Sequence, residues 1–143
     1  MSATTDGPSA SDASNGHSRC FLCGNLNPRS LNLSFEDSEE GGVRTSFESG
    51  ADLQGYDDIL HGGVISALLD AAMTHSLFHQ GIQAVTGDLR VRFLRPVPCG
   101  AILEIRARVL SSRPPLYNVS GEILLDGEVM AWAEAKFMER RKH

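Results

Sequence analysis

The sequence predicts one α+β domain in which a long central helix is wrapped by a roughly six-stranded antiparallel sheet. One observation is a run from Gly62 to about Gln80 that has the length of a helix and is apolar nearly all round, as core helices are. Another is that six strand-like segments flank this run, two before it and four after it. A chain of 143 residues is long enough for one such domain with a substantial core.

The segments before the helix are predicted from composition and alternation. Residues 1–18 are mostly Ser, Ala, Thr, Gly and Asp, with no large apolar residue after Met1, which is typical of a flexible tail. The domain then spans residues 19–143. Apolar and polar residues alternate over 31–35, and a second strand over 43–47 follows a Glu-Glu-Gly-Gly turn. We therefore expect a hairpin before the helix.

Four strands are predicted after the helix, which Gly81 is expected to stop. These strands cover 85–94, 102–110, 116–125 and 128–138. The first alternates along its whole length and is ended by prolines. The last two are joined by Asp126-Gly127, a strong signal for a two-residue hairpin turn. We expect the four strands to form a meander.

Composition and charge exclude several classes of protein. The chain is 41% hydrophobic and 22% charged, which is ordinary for a globular protein. A net charge of −5 argues against nucleic-acid binding, which requires a basic surface. The longest apolar run is interrupted by Asp70 and His75, so we expect no membrane span. There is no basic-then-apolar leader and the three cysteines do not form a disulfide framework, so we expect a cytoplasmic protein.

Asp70 is the first candidate for chemistry, because it is the only charged residue between Gly62 and Phe78. A carboxylate in an apolar helix is costly unless it is hydrogen-bonded or functional. Gly62 and Gly63 begin the helix, where free N–H groups and the positive end of the helix dipole can hold a developing oxyanion. Gly63, Ser66 and Asp70 share one helix face. The arrangement suits attack on an acyl group with Asp70 as base or nucleophile; the alternative is a structural, hydrogen-bonded acid.

Two segments carry a family resemblance. The first is Leu60-His-Gly-Gly-Val-Ile-Ser-Ala-Leu-Leu-Asp70, and the second is Val85-Thr-Gly-Asp-Leu-Arg-Val-Arg-Phe-Leu-Arg-Pro96. Together they resemble the hotdog-fold thioesterases, in particular the phenylacetate-pathway (PaaI-type) branch of the 4-hydroxybenzoyl-CoA thioesterase superfamily. The likeness extends from Cys20 to Met138, and the Cys-Phe-Leu-Cys-Gly-Asn-Leu-Asn-Pro entry that begins at Cys20 is similar to one subgroup.

The resemblance implies a mechanism and an assembly. Asp70 would be the catalytic carboxylate, Gly62 would supply the N–H that binds the thioester oxygen, and His61 would orient that site. Thr86 matches a position at which family members carry a hydroxyl that positions water or substrate. The family implies a homodimer or a dimer of dimers (a homotetramer), with active sites between subunits. Apart from the resemblance, we expect Gly63, Ser66, Tyr56, Arg90 and Arg92 to bind substrate. Arginines suit the phosphates of coenzyme A, and the alternative for them is a solvated sheet face.

One position departs from the family pattern. Many members carry Asn or Gln six residues before the histidine, where the amide orients the water or the thioester. In this chain that position is Gly55. Gln54 is its neighbour and would replace the amide if the loop shifts by one residue.

Two groups of residues have the spacing of metal ligands. His75 and His79 lie one helical turn apart, but the His-Glu-x-x-His pattern of zinc hydrolases is absent. Cys20 and Cys23 form a single Cys-x-x-Cys pair with His17 upstream, but it lacks a second ligand pair. We therefore expect no zinc hydrolase site at the two histidines, packing or a redox-silent thiol pair at the two cysteines, and no cofactor.

The leading interpretation is hydrolysis of an acyl-CoA to a free acid and CoA. Two alternatives stay open. One is hydration or dehydration of an acyl thioester, which related hotdog enzymes perform with a histidine and an acid facing each other. The other is acyl-CoA binding without catalysis, which the missing amide at Gly55 favours.

Overall fold

One long helix, α1, lies against a six-stranded antiparallel sheet in the computed structural model, which describes residues 16–140. The helix spans Gly62–Phe78. The strands are β1 (Glu36–Asp37), β2 (Val43–Glu48), β3 (Ala84–Phe93), β4 (Ile102–Arg113), β5 (Leu116–Leu125) and β6 (Glu128–Glu139). The predicted fold class is confirmed. Most of the predicted tail, and the predicted domain end at 141–143, lie outside the described residues.

The sheet has the strand order β1-β2-β4-β5-β6-β3. Strands β4, β5 and β6 form the predicted meander, and Asp126 (φ 51°) and Gly127 (φ 83°) make the tight turn between the last two. The prediction that all four strands form one meander is wrong for β3. This strand pairs with β6 and so occupies the far edge of the sheet. Alternation reports which face of a strand is buried and carries no information on which neighbour it pairs with.

Helix α1 is buried on nearly all sides from Ile65 to Phe78, as its composition predicts. It packs against the inward-facing residues of the sheet, and it approaches β5 closely at Gly121, where a Cβ would lie 3.3 Å from Met73. Gly81, at φ 77°, ends the helix, with its N–H donating to the Phe78 carbonyl at 2.9 Å. No helix within residues 16–140 is both long enough and apolar enough to cross a membrane.

The strand predicted over 31–35 is wrong. Leu33 and Phe35 are buried, so the alternation is real, but regular pairing begins only at Glu36. The backbone over 31–33 bonds instead to the preceding loop, with the Leu33 N–H donating to the Leu22 carbonyl at 3.0 Å. The N-terminal segment therefore covers the core where a longer strand was expected.

Edge strand β3 carries apolar side chains that are exposed in the single chain. Its inward-facing residues include Leu89 and Phe93, and both are more than a third exposed. Val85 and Leu94 are also exposed, at the two ends of the strand. An unpaired, partly apolar strand edge of this length is a template for pairing with another chain.

Candidate active site

The amino end of α1 is held by a side-chain cap. His61 is the N-cap residue, with extended backbone angles, and its Nδ1 accepts a hydrogen bond from the Gly63 N–H at 2.8 Å. Because Nδ1 is the acceptor, the ring proton is on Nε2. The carbonyl of His61 also accepts bonds from the Val64 and Ile65 N–H groups. Among the described residues, none accepts a hydrogen bond from the Gly62 N–H, which leaves this donor for a ligand.

Gly62 is exposed at the start of the helix, and Ser66, one turn later, is partly exposed. The Ser66 hydroxyl donates to the Gly62 carbonyl at 3.1 Å, so its proton is engaged within the helix. The position of a Cβ on Gly62 would be 3.6 Å from the Phe93 ring, which places the end of β3 beside the helix start. Phe93 was not predicted as a site residue, since nothing in its strand pattern distinguishes it from a core side chain.

Asp70 lies two turns further along α1 and is partly exposed on the side that faces β3. The Thr86 hydroxyl donates to Asp70 Oδ1 at 2.6 Å. This is a short bond to an ionisable acceptor, of the kind that orients a carboxylate. The structure thus brings together the two side chains that the sequence placed 16 residues apart, and the remaining carboxylate oxygen is available for chemistry.

The loop before α1 uses the predicted amide for its own structure. Gln54 Oε1 accepts a hydrogen bond from the Asp58 N–H at 3.0 Å, and Gln54 pairs with Leu60 in an isolated bridge. A Cβ on Gly55 would lie 3.5 Å from the ring of His61. In this conformation Gln54 stabilises the loop, and a side chain at position 55 would stand over His61.

The other predicted substrate-binding residues lie apart from Asp70. Arg90 and Arg92 project from the outer face of β3, opposite to the face that carries Thr86, and Arg90 pairs with Glu134 at 3.2 Å. Tyr56 is 86% exposed in the loop before α1. Two cavities of about 410 and 540 Å³ lie on the outer face of the sheet, and Asp70 lines neither. Neither of these two cavities therefore supplies an acyl pocket beside Asp70.

The carboxyl half of α1 holds histidines in an aromatic environment. His75 is 1% exposed, and its ring stacks on Phe35 with the centroids 4.7 Å apart. Burial lowers the pKa of His75 to about 3, with a smaller contribution from the nearby His17. His75 and His79 do not converge on a common ligand position, since His79 Nδ1 pairs with Asp37 at 2.8 Å.

Comparisons with known proteins identify the family of this chain. The model of the thioesterase superfamily matches residues 58–130, which include His61, Asp70 and Thr86. A 3-hydroxyacyl-[acyl-carrier-protein] dehydratase FabZ of Syntrophotalea carbinolica is 38% identical over 66 residues, 46% of this chain and 45% of that protein. The acyl-coenzyme A thioesterase THEM4 of Bos taurus is 29% identical over 75 residues, 52% of this chain and 30% of that protein. The matches thus span less than half the length of either relative.

Solved structures share the fold over most of the chain. A thioesterase superfamily protein is 24% identical with a TM-score of 0.80, covering 96% of this chain and 72% of its own. A Bacillus halodurans protein solved with CoA is 24% identical with a TM-score of 0.70, over 79% and 77% of the two chains. The PaaI protein of E. coli, from the phenylacetic acid degradation operon, is 23% identical with a TM-score of 0.71, over 78% and 81%. The predicted hotdog fold is confirmed.

Proposed function

Because this chain belongs to the thioesterase superfamily, we propose that it hydrolyses an acyl-CoA thioester to a free acid and CoA. The observation that carries the proposal is the Asp70 carboxylate, held by the Thr86 hydroxyl at 2.6 Å on the open side of α1. CoA is bound to the Bacillus halodurans neighbour, and acyl-coenzyme A is the substrate class of the Bos taurus relative. Both agree with a CoA ester as the ligand.

Asp70 acts as the base in this mechanism. Its free oxygen takes a proton from water as the water oxygen attacks the thioester carbon. The carbonyl oxygen becomes an oxyanion, which the Gly62 N–H and the positive end of the α1 dipole stabilise. The carbon–sulfur bond then breaks, and the proton on Asp70 passes to the leaving CoA sulfur. Direct attack by Asp70 on the thioester carbon would instead break the carbon–sulfur bond, release CoA as the thiolate and form a mixed anhydride, which water then hydrolyses to the free acid and the Asp70 carboxylate.

The site requires two copies of the chain. Gly62 and Asp70 are eight residues apart on one straight helix, which is about 12 Å at 1.5 Å per residue. One carbonyl group cannot accept a bond from the first and receive a nucleophile from the second at that separation. The prediction that both groups of one helix act on the same carbonyl is therefore replaced by a composite site, in which Gly62 of a second copy faces Asp70.

Strand β3 is the surface that we assign to this second copy. It is the free edge of the sheet, it carries Thr86, and its end packs beside Gly62. Pairing of two β3 edges would satisfy unpaired backbone groups and cover the exposed side chains of Leu89 and Phe93. A two-fold dimer formed in this way contains two equivalent sites.

A second candidate function is hydration of an enoyl thioester, which the match to the dehydratase favours. That chemistry needs a histidine that can accept a proton. The His61 ring has Nδ1 occupied by the Gly63 N–H, so its Nε2 carries the proton and is a donor. This arrangement favours hydrolysis over hydration.

The proposal is tested by assaying CoA release from short, medium, long and aryl acyl-CoAs with the wild type and with Asp70→Asn. We expect kcat to fall by about 10³-fold or more in Asp70→Asn, because the base is lost while the Thr86 hydroxyl keeps an acceptor. Asp126→Asn is the matched control, since Asn suits the same turn conformation, and it should keep wild-type activity.

Three outcomes decide between the functions. Loss of hydrolysis in Asp70→Asn alone supports the thioesterase. Hydration of an enoyl-CoA without release of CoA supports the second candidate. Tight binding of CoA esters by the wild type with no turnover of any substrate means a binding module, and contradicts both enzymes.

A further inference from the structure

We propose that His17, Cys20 and Cys23 form a zinc-binding site, separate from the residues assigned to hydrolysis. Their Nδ1 or Nε2 and Sγ atoms lie within 4.8 Å of one another. Cys23 Sγ is 3.5 Å from His17 Nδ1. In a tetrahedral site with Zn–S and Zn–N bonds of ordinary length, that edge is about 3.6 Å. No other such group of His, Cys, Asp or Glu is found within residues 16–140.

The turn that carries the two thiols is already formed. The Leu22 N–H donates to Cys20 Sγ at 3.3 Å, a bond that holds this sulfur in place. The Cys20 N–H donates to the His17 carbonyl at 3.0 Å, which brings the imidazole back toward the thiols. Gly24 completes the turn in a space where a Cβ would clash with the Cys20 amide and with the Ser18 carbonyl. A metal would therefore bind to an arranged site, with little ordering cost.

The donor set selects the metal. Two thiolates and one imidazole are the ligands that favour zinc, whereas magnesium and calcium prefer oxygen. Cys23 is buried, while Cys20 and His17 are only partly covered, so solvent can reach the remaining tetrahedral position. We therefore assign three protein ligands and one water molecule.

The same burial argues against a catalytic thiol. Burial raises the pKa of the Cys23 thiol well above its usual value, so without a metal it is protonated and a poor nucleophile.

A zinc ion here would attach the N-terminal segment to the end of α1. The ring of His17 lies 4.9 Å from that of Phe78, edge to face. Beyond the cysteines, the Leu31 N–H donates to the Phe21 carbonyl at 3.0 Å, so the same turn also holds the next segment. Removing the metal should loosen this cover and lower the melting temperature.

The test measures zinc in the full-length protein, purified under reducing conditions and equilibrated with zinc against a competing chelator. We expect one zinc per chain in the wild type, and loss of that zinc in Cys20→Ser, Cys23→Ser and His17→Ala. Cys99→Ser is the matched control, because Cys99 is the remaining cysteine and lies outside the cluster, and it should keep the metal. Zinc should raise the melting temperature of the wild type and of Cys99→Ser only.

Cobalt gives a readout that does not depend on whether the variants fold. Cobalt added to the metal-free wild type should produce thiolate-to-metal charge-transfer absorption and the intense d–d bands of tetrahedral coordination. A wild-type chain that binds neither metal would overturn the proposal. So would zinc retained by both cysteine-to-serine variants, zinc lost from Cys99→Ser, or a Cys20–Cys23 disulfide in freshly isolated protein.

Discussion

The two halves of α1 place their polar side chains in different surroundings. In the amino half, Asp70 and the Gly62 N–H face open space. Asp70 accepts a hydrogen bond from the Thr86 hydroxyl, and beside Gly62 the His61 ring accepts one from the Gly63 N–H. In the carboxyl half, His75 is buried among aromatic rings, and the ring of His17, from the N-terminal segment, lies 6.5 Å from it. The first arrangement suits reaction with a ligand, and the second suits stability.

The difference has a physical cause. The first turn of a helix has N–H groups without intrahelical partners, so it can remain exposed and bind an anion. The last turns of α1 are buried, with Phe35 stacked on His75 and His17 edge to face against Phe78. We therefore expect substitutions in the amino half to change catalysis with little change in stability, and substitutions in the carboxyl half to do the reverse.

After Asp70→Asn, the largest effect is expected from Gly62→Pro. Proline suits the first helical position, and the extended backbone of His61 accommodates a following proline, so the helix should form without the N–H. We expect kcat for acyl-CoA hydrolysis to fall by about 10² to 10³-fold, as when an oxyanion donor is lost. Gly62→Ala keeps the N–H and makes only ordinary contact with Phe93, so its kcat should stay within a few-fold of the wild type. Equal losses in the two variants would remove the oxyanion role.

A smaller effect is expected from pH, through His75. The pKa of His75 is about 3 in the folded protein and 6.5 without burial, as in the unfolded chain. Above pH 6.5, His75 is therefore neutral in both the folded and the unfolded state. As the pH falls from 6.5 toward 3, the unfolded chain binds a proton at His75 before the folded protein does, so the free energy of unfolding decreases. At pH 5 the loss is about 2 kcal/mol.

Urea unfolding at pH 7 and pH 5 checks this expectation. His75→Leu removes the titrating group, so its free energy of unfolding should vary less with pH than that of the wild type. Both proteins keep His17, Cys20 and Cys23, so any pH effect of that cluster is common to them. An identical pH dependence in the two proteins would show that His75 is not held neutral by burial.

The smallest effect is expected from Thr86→Val, which keeps the shape of the side chain and removes the bond to Asp70. Hydrogen bonds to charged groups contribute about 1.5 to 3 kcal/mol, so we expect kcat to fall by about 10-fold or more with little change in KM. Thr86→Ser keeps the hydroxyl and should recover most of the activity. If Val and Ser variants behave alike, Thr86 does not orient the carboxylate.

The sequence predicts the helix, strands and turns better than it predicts which segments pair with one another. The helix, its Gly81 stop and the turn at Asp126 follow from local chemistry, and the structure has all three. The alternation over 31–35 correctly marks Leu33 as buried, but it cannot show that its backbone partner is a loop. The alternation in β3 likewise cannot show that this strand pairs with β6 and so lies at the edge of the sheet.

The candidate sites likewise depend on contacts that the sequence pattern does not reveal. Asp70 is identified by its isolation in an apolar run, and Thr86 by resemblance, but only the fold shows that they are hydrogen-bonded. The expectation of packing at Cys20 and Cys23 rested on the missing second ligand pair. His17 comes from outside the Cys-x-x-Cys spacing, and a backbone turn brings it to the thiols.

The central claim is that Asp70 of one chain works with Gly62 of another, and co-expression of two inactive variants tests it most directly. Chains carrying Gly62→Pro and chains carrying Asp70→Asn should pair at random, and each mixed dimer should contain one site with both groups intact. We expect about a quarter of the wild-type sites to be recovered. Mixed dimers, isolated through two different tags, that are no more active than either variant alone would contradict the claim.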